Sequence, residues 1–197
     1  MQTSENKLSF INKKIIVGSA SPRRKELING LGLNFSIDPI NADESFPSNL
    51  QSFEIPLYLA EKKSNGYNKI INPNEILLTA DTIVWLEEKV LNKPESRVEA
   101  FEMLKSLSGK KHEVYTGVCL RDSKKIKLFY DKTEVFFKVL NENEINYYID
   151  HFPVYDKAGS YGVQDWIGYI GIEKINGSFY NVMGLPVNIV YNEIINF

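Results

Sequence analysis

The residues best able to do chemistry fall in three places. In Gly18-Ser-Ala-Ser-Pro-Arg-Arg-Lys25, small residues precede a predicted helix start whose opening turn carries three cations. Cations at that end oppose the helix dipole. The arrangement costs stability unless an anion sits among the exposed N–H groups, the Ser19 and Ser21 hydroxyls and the Arg23 and Arg24 guanidinium groups. A phosphate chain is such an anion. The Walker pattern G-x-x-x-x-G-K-[ST] is absent. A capped helix with solvated arginines explains this segment equally well.

The second place is Asp81, a carboxylate inside the apolar run Ile76-Leu-Leu-Thr-Ala-Asp-Thr-Ile-Val-Trp85. Desolvating an ionised group there is expensive, so a paired cation, a metal or a catalytic role is expected. The alternative is that Asp81 ends the strand and hydrogen-bonds a local turn through Thr82. The third place is scattered: Lys63, Lys93 and Gln164, with Glu44 as a second carboxylate. Lys93 precedes Pro94, which holds it extended on a rigid turn. Each of these alone is compatible with an ordinary surface position. His112 and His151 occur in neither an HExxH nor a Ser-His-Asp context, which argues against zinc hydrolysis and acyl transfer. Cys119 lies in a strand pattern and reads as buried rather than nucleophilic.

Several elements must position these groups. Lys14 to Gly18 reads as a buried strand, and Ser21 with Pro22 as the N-cap and first position of a helix with Leu27, Ile28 and Leu31 inward. A second helix runs from about Glu54 to Asn65, where Ile55, Leu59 and Lys63 recur at spacings of four and Gly66 follows. Lys63 thus continues an apolar stripe. Ile76 to Leu86 is apolar at odd and even positions, as in a strand covered on both faces of a mixed or parallel sheet. Ser96 and Glu99 form a capping box before a helix with Val98, Phe101, Leu104 and Leu107 inward, ended by Gly109. Glu113 to Leu120, Lys125 to Tyr130 and Thr133 to Leu140 read as three strands, followed by a helix capped by Asn141 and Glu144. Asn176-Gly177 reads as a hairpin turn between strands at 172–175 and 178–182, and Pro186 as the start of a last helix.

The chain has 197 residues, 43% hydrophobic, with Lys+Arg 23 against Asp+Glu 25. That length and apolar content suit one α/β unit at 14–197, preceded by a loose polar extension over 1–13. Near-neutral charge supplies no basic field, so nucleic acid is not an expected partner. No apolar run approaches the roughly 20 residues of a membrane span, and one cysteine cannot form an internal disulfide, so a cytoplasmic location is expected.

Six ordered blocks carry a resemblance. Ser19-Ala-Ser-Pro-Arg-Arg-Lys-Glu-Leu27, Ala80-Asp-Thr-Ile-Val84, Leu91-Asn-Lys-Pro94, Leu107-Ser-Gly109 with Val114-Tyr-Thr-Gly-Val118, Tyr155 through Gln164, and Ile175-Asn-Gly177 through Pro186 resemble the Maf family of nucleoside triphosphate pyrophosphatases. The resemblance implies a fold like the inosine triphosphate pyrophosphatases, with an elongated mixed sheet, flanking helices, a cleft between two lobes and a homodimer. It implies hydrolysis of a nucleoside triphosphate to monophosphate and pyrophosphate, with a divalent cation, Mg²⁺ or Mn²⁺. By position, Asp81 matches the general base, Arg23, Arg24, Lys63 and Lys93 match phosphate-binding residues, and Glu44 matches a partner of Asp81 at the metal. The Asp81-Thr82 pair matches the subfamily acting on dTTP and UTP, whereas Asp-Gln marks the one acting on 7-methyl-GTP. Arg23, Thr82 and Gln164 match positions that influence base choice. Asp165 and Trp166 stand where the family commonly has glycine. A non-catalytic nucleotide-binding regulator of cell division is the alternative from another class.

Overall fold

A computed structural model describes Leu8 and residues 11–197. Most of the expected extension over 1–13 lies outside the described residues. At its end, Ile11 is buried and its N–H reaches the Leu8 carbonyl at 3.1 Å.

The elements alternate as β1 (Lys14–Val17), α1 (Pro22–Gly30), β2 (Asn34–Ile37), α2 (Glu54–Asn65), β3 (Glu75–Leu86), β4 (Lys89–Leu91), α3 (Arg97–Leu107), β5 (Lys111–Arg121), β6 (Ile126–Phe137), α4 (Glu142–His151), α5 (Trp166–Gly171), β7 (Ile172–Asn176), α6 (Phe179–Met183) and α7 (Val187–Ile195). A 3₁₀ turn at Ala158–Ser160 precedes α5. Strand order is β2-β1-β3-β5-β6-β7, with β4 paired to β3. The sheet is mixed. β1 runs parallel to both β2 and β3, with Val17 opposite Ile37 and Leu78, whereas β6 and β7 are antiparallel. Ile15, Ile16 and Val17 are all buried, as a strand covered on both faces requires.

Internal packing divides the chain into two compact units. The first holds the described residues up to Asp81 together with Thr116–Asp131 and Gly184–Phe197. The second holds Thr82–Tyr115 and Lys132–Met183. In the first unit α2 lies on β5 without clearance, because a Cβ on Gly117 would stand 2.3 Å from the carbonyl carbon of Pro56. Thr79 Oγ1 in β3 also donates to the Ala60 carbonyl of α2 at 2.7 Å. These two ties fix α2, and with it Lys63, against the sheet.

The structure corrects several local expectations. Val98, expected inward, is 72% exposed and Phe101 only half-buried, while Leu104 and Leu107 are buried as expected and Ala100 joins them on the inner face of α3. Ser96 does cap that helix, but Glu99 Oε2 accepts from the Glu95 N–H at 2.8 Å and not from Ser96, so the box is displaced by one residue. The full capping box of α4 is present. Two predicted strands are one strand, β6, because Lys132 pairs with Glu113 of β5 at 3.0 Å and the charged residues need no break. The Asn176-Gly177 hairpin is absent: β7 pairs with β6, and residues 179–183 are helical. Thr133 is the reason, since its Oγ1 accepts the Ser178 N–H at 3.0 Å and the Asn181 amide at 3.0 Å. Those bonds draw the chain after Gly177 (φ 132°) into a helical turn.

Candidate active site

Asp81 lies within β3, which continues to Leu86, so it does not end a strand in a local turn. It is buried in the run that brings it there. Its Oδ1 accepts from Lys63 Nζ at 2.5 Å, and the same ammonium pairs with Glu44 Oε1 at 2.9 Å. The side chains of Lys63 and Asp81 are 11% and 12% exposed, while that of Glu44 is half exposed. Lys63 reaches this position because α2 packs Ile55 and Leu59 inward on the same stripe. One cation thus holds two carboxylates together.

Lys62 supports the loop carrying Glu44. Its Nζ pairs with Asp43 Oδ2 at 2.8 Å and donates to the Ser45 carbonyl at 2.8 Å, while Asp43 Oδ1 accepts the Ser45 N–H at 3.0 Å. These contacts hold the Asp43 carboxyl well below its ordinary range. Asp43, Ser45 and Lys62 were not singled out by sequence. Their adjacency to Glu44 and Lys63 was the available signal.

The cationic helix start belongs to the same unit. Ser21 caps α1 by accepting the Arg24 N–H at 3.5 Å, and its own N–H donates to Ser19 Oγ at 3.2 Å. Arg24 spans the turn, with Nη1 on Ser19 Oγ at 3.4 Å and Nε on the Gly184 carbonyl at 2.9 Å. Burial pushes the Arg24 guanidinium downward from its ordinary value, while the carboxylates of Asp81 and Glu44 act in the opposite sense, so this guanidinium shares their field. Arg23 is half-buried and adds its repulsion to Arg24. The Gly184 carbonyl escaped sequence reading, because a main-chain acceptor has no residue signature. No group of three or more His, Cys, Asp or Glu able to hold a metal occurs among the described residues. A hard divalent cation held by one or two carboxylates, with phosphate oxygens and water completing its shell, still suits the pair Glu44 and Asp81.

The remaining predicted residues lie in the second unit. Thr82 is half-buried beside Asp81 in β3, and Lys93 is exposed between β4 and α3, next to buried Pro94. Gln164 lies on the loop before α5, with its Oε1 buried and without a hydrogen-bond partner. Asp165 and Trp166, which depart from the family pattern, are engaged in packing. Asp165 Oδ2 accepts from the Tyr148 hydroxyl at 2.8 Å, and Trp166 meets Tyr147 edge-on with centroids 4.8 Å apart. Cys119 is fully buried and burial raises its thiol pKa, consistent with an inert side chain.

Fold and site together define an α/β protein with a cation-rich, capped helix start beside a buried carboxylate–lysine pair. The Maf-like protein family model matches residues 14–197, and the chain belongs to that family. A dTTP/UTP pyrophosphatase of Bacteroides fragilis is 53% identical over 182 residues, 92% of this chain and 94% of the relative. The dTTP/UTP pyrophosphatase of Parabacteroides distasonis is 50% identical over 185 residues, covering 93% and 96%. The Staphylococcus aureus Ham1 protein is a structural match at TM-score 0.47 and 13% identity, over 92% of this chain and 100% of that one. No helix of the described residues is long and apolar enough to cross a membrane.

Proposed function

We propose that this protein hydrolyses dTTP and UTP to the monophosphate and pyrophosphate. The observation that carries the proposal is the buried Asp81–Lys63 pair, joined by half-exposed Glu44, in the electrostatic reach of Arg24 at a capped helix start. Membership of the Maf-like family and the dTTP/UTP names of its relatives support the choice of substrate.

In the reaction, the oxygen of a water attacks the α-phosphorus, the bond from that phosphorus to the bridging oxygen breaks, and pyrophosphate leaves. Asp81 orients the water and takes its proton. Ser19, Ser21, Arg23, Arg24, Lys63 and Lys93 bind the phosphates and offset their charge. Glu44 and Asp81 would hold a divalent cation, Mg²⁺ or Mn²⁺, which would supply Lewis-acid stabilisation of the phosphate oxygens. Before ligand arrives, Lys63 keeps those two carboxylates from repelling one another. Thr82 and Gln164 contact the base. The functional molecule is proposed to be a cytoplasmic homodimer without a nucleic-acid partner.

The test is to incubate the purified protein with a panel of nucleoside triphosphates and Mg²⁺ and to identify the phosphate product. Pyrophosphate from dTTP and UTP, in preference to 7-methyl-GTP, is expected. Orthophosphate as the product, or a preference for 7-methyl-GTP in kcat/KM, contradicts the proposal. Full activity in excess EDTA removes the metal from it.

A further inference from the structure

The Gln164 amide oxygen is a buried acceptor with no partner. Leaving such a group unpaired is costly, and a ligand donor that completes it recovers that cost. The backbone carrying it is unusually constrained. Asp165 N–H closes a turn onto the Gly162 carbonyl at 3.0 Å, Gly162 N–H donates to the Tyr148 hydroxyl at 3.0 Å, and that hydroxyl donates to Asp165 Oδ2 at 2.8 Å. Lys157, only 4% exposed, places Nζ 3.6 Å from the same oxygen and 2.8 Å from Asp156 Oδ1. There is no slack in this ring. A Cβ on Gly162 would stand 2.5 Å from Asp165 Oδ2 and 2.9 Å from Lys157 Cε, and one on Gly168 would stand 1.9 Å from the Val163 carbonyl oxygen.

We infer that Tyr148, acting with Lys157 through the Asp165 carboxylate, is a positioning residue that fixes the Gln164 carboxamide oxygen as acceptor for a ring N–H of the base. Uracil and thymine both carry a hydrogen on N3, whereas cytosine presents a lone pair there. An acceptor fixed in place therefore favours UTP over CTP, and a loosened one loses that discrimination. The inference rests on the reading of Gln164 as a base contact. It also gives Asp165 a specific use: the carboxylate is what joins the Tyr148 phenol to the buried ammonium of Lys157.

The experiment measures kcat/KM for UTP and CTP in the wild type, Tyr148→Phe, Asp165→Asn, Gln164→Ala and the Tyr148→Phe/Gln164→Ala double variant. The UTP-to-CTP ratio is independent of the fraction of active protein, so a merely structural loss does not move it. Tyr148→Phe is expected to lower the ratio about tenfold, within the range for contacting residues and for small misplacements. The double variant is expected to add nothing to Gln164→Ala. If Tyr148→Phe fails to fold, Asp165→Asn reads the same tie with the shape retained. A ratio lost in Gln164→Ala but unchanged in Tyr148→Phe and Asp165→Asn overturns the positioning role and leaves the base contact standing. A ratio near one in the wild type, or unchanged in Gln164→Ala, overturns the base contact and the inference with it.

Discussion

At the scale of single residues, the two members of the buried pair differ in what their removal leaves behind. Asp81→Asn keeps the shape and takes away one charge, and Lys63 retains Glu44 as its partner at 2.9 Å. The usual penalty for an orphaned buried charge is thereby softened. The ligand-free variant is expected to melt within a few degrees of the wild type, while turnover falls by at least about 10²-fold, the lower end for a positioned base. Wild-type turnover by Asp81→Asn excludes Asp81 as the base. Lys63→Met is the harsher change, because it leaves Glu44 and Asp81 as unneutralised neighbours. It is expected to lower the melting temperature more than Asp81→Asn does, and to cost about 2 to 4 kcal/mol of transition-state stabilisation in kcat/KM. Equal melting temperatures for the two variants would contradict the bridging role of this ammonium. Asp81 was legible in the sequence because its apolar neighbours make an unpaired charge improbable. Its link to Lys63 and Glu44 was not legible in local pattern: Lys63 stands 18 residues from Asp81 and 19 from Glu44, separations that no local spacing encodes and that only the family resemblance bridged.

At the scale of elements, the site depends on how closely α2 approaches the sheet. Gly117 permits that approach, so Gly117→Ala must either push Pro56 away or shift β5. Overpacking of this kind costs typically about 1 to 3 kcal/mol, and here it also moves the helix that carries Lys63. The variant is expected to unfold at lower urea concentration and, in its folded fraction, to lose kcat/KM. A displaced urea midpoint with unchanged kinetics would show that α2 relaxes without carrying Lys63 with it. Elements with strong local signals were legible: the Ser21-Pro22 start of α1, the Asn141/Glu144 box of α4 and the two-sided apolar run of β3. Those decided by distant partners were not. Asn176-Gly177 has the local preference of a hairpin turn, yet Thr133, more than forty residues earlier in sequence, captures Ser178 and Asn181 and imposes a helix. Ser96 and Glu99 misled by one residue because the Glu95 N–H competes for the same carboxylate.

For the whole molecule, stability should depend on pH through a group remote from the proposed chemistry. His112 is 1% exposed, with Nε2 2.7 Å from the Tyr161 hydroxyl and Nδ1 buried without a partner. Burial lowers its pKa from 6.5 to about 3, so the folded protein keeps this imidazole neutral where the unfolded chain protonates it. Between pH 6.5 and about 3 the unfolded state binds one more proton than the folded state at this site, so the contribution is fully present above 6.5 and declines as the pH falls. Carboxylates held below their ordinary values, such as Glu113, Glu134, Glu144 and Asp150, begin to lose their contributions only nearer pH 4.5. The interval from pH 6.5 to 5.5 therefore reports mainly on His112, with a slope rising towards about 1.4 kcal/mol per pH unit at its lower end. Urea unfolding of the ligand-free protein at intervals between pH 7.5 and 5.0 is expected to give that slope. His112→Gln cannot titrate, so it should be less stable than the wild type at pH 7.5, where the packing of the ring is lost, yet nearly flat through the same interval. A slope that survives in His112→Gln would mean that some other group takes up the proton on unfolding.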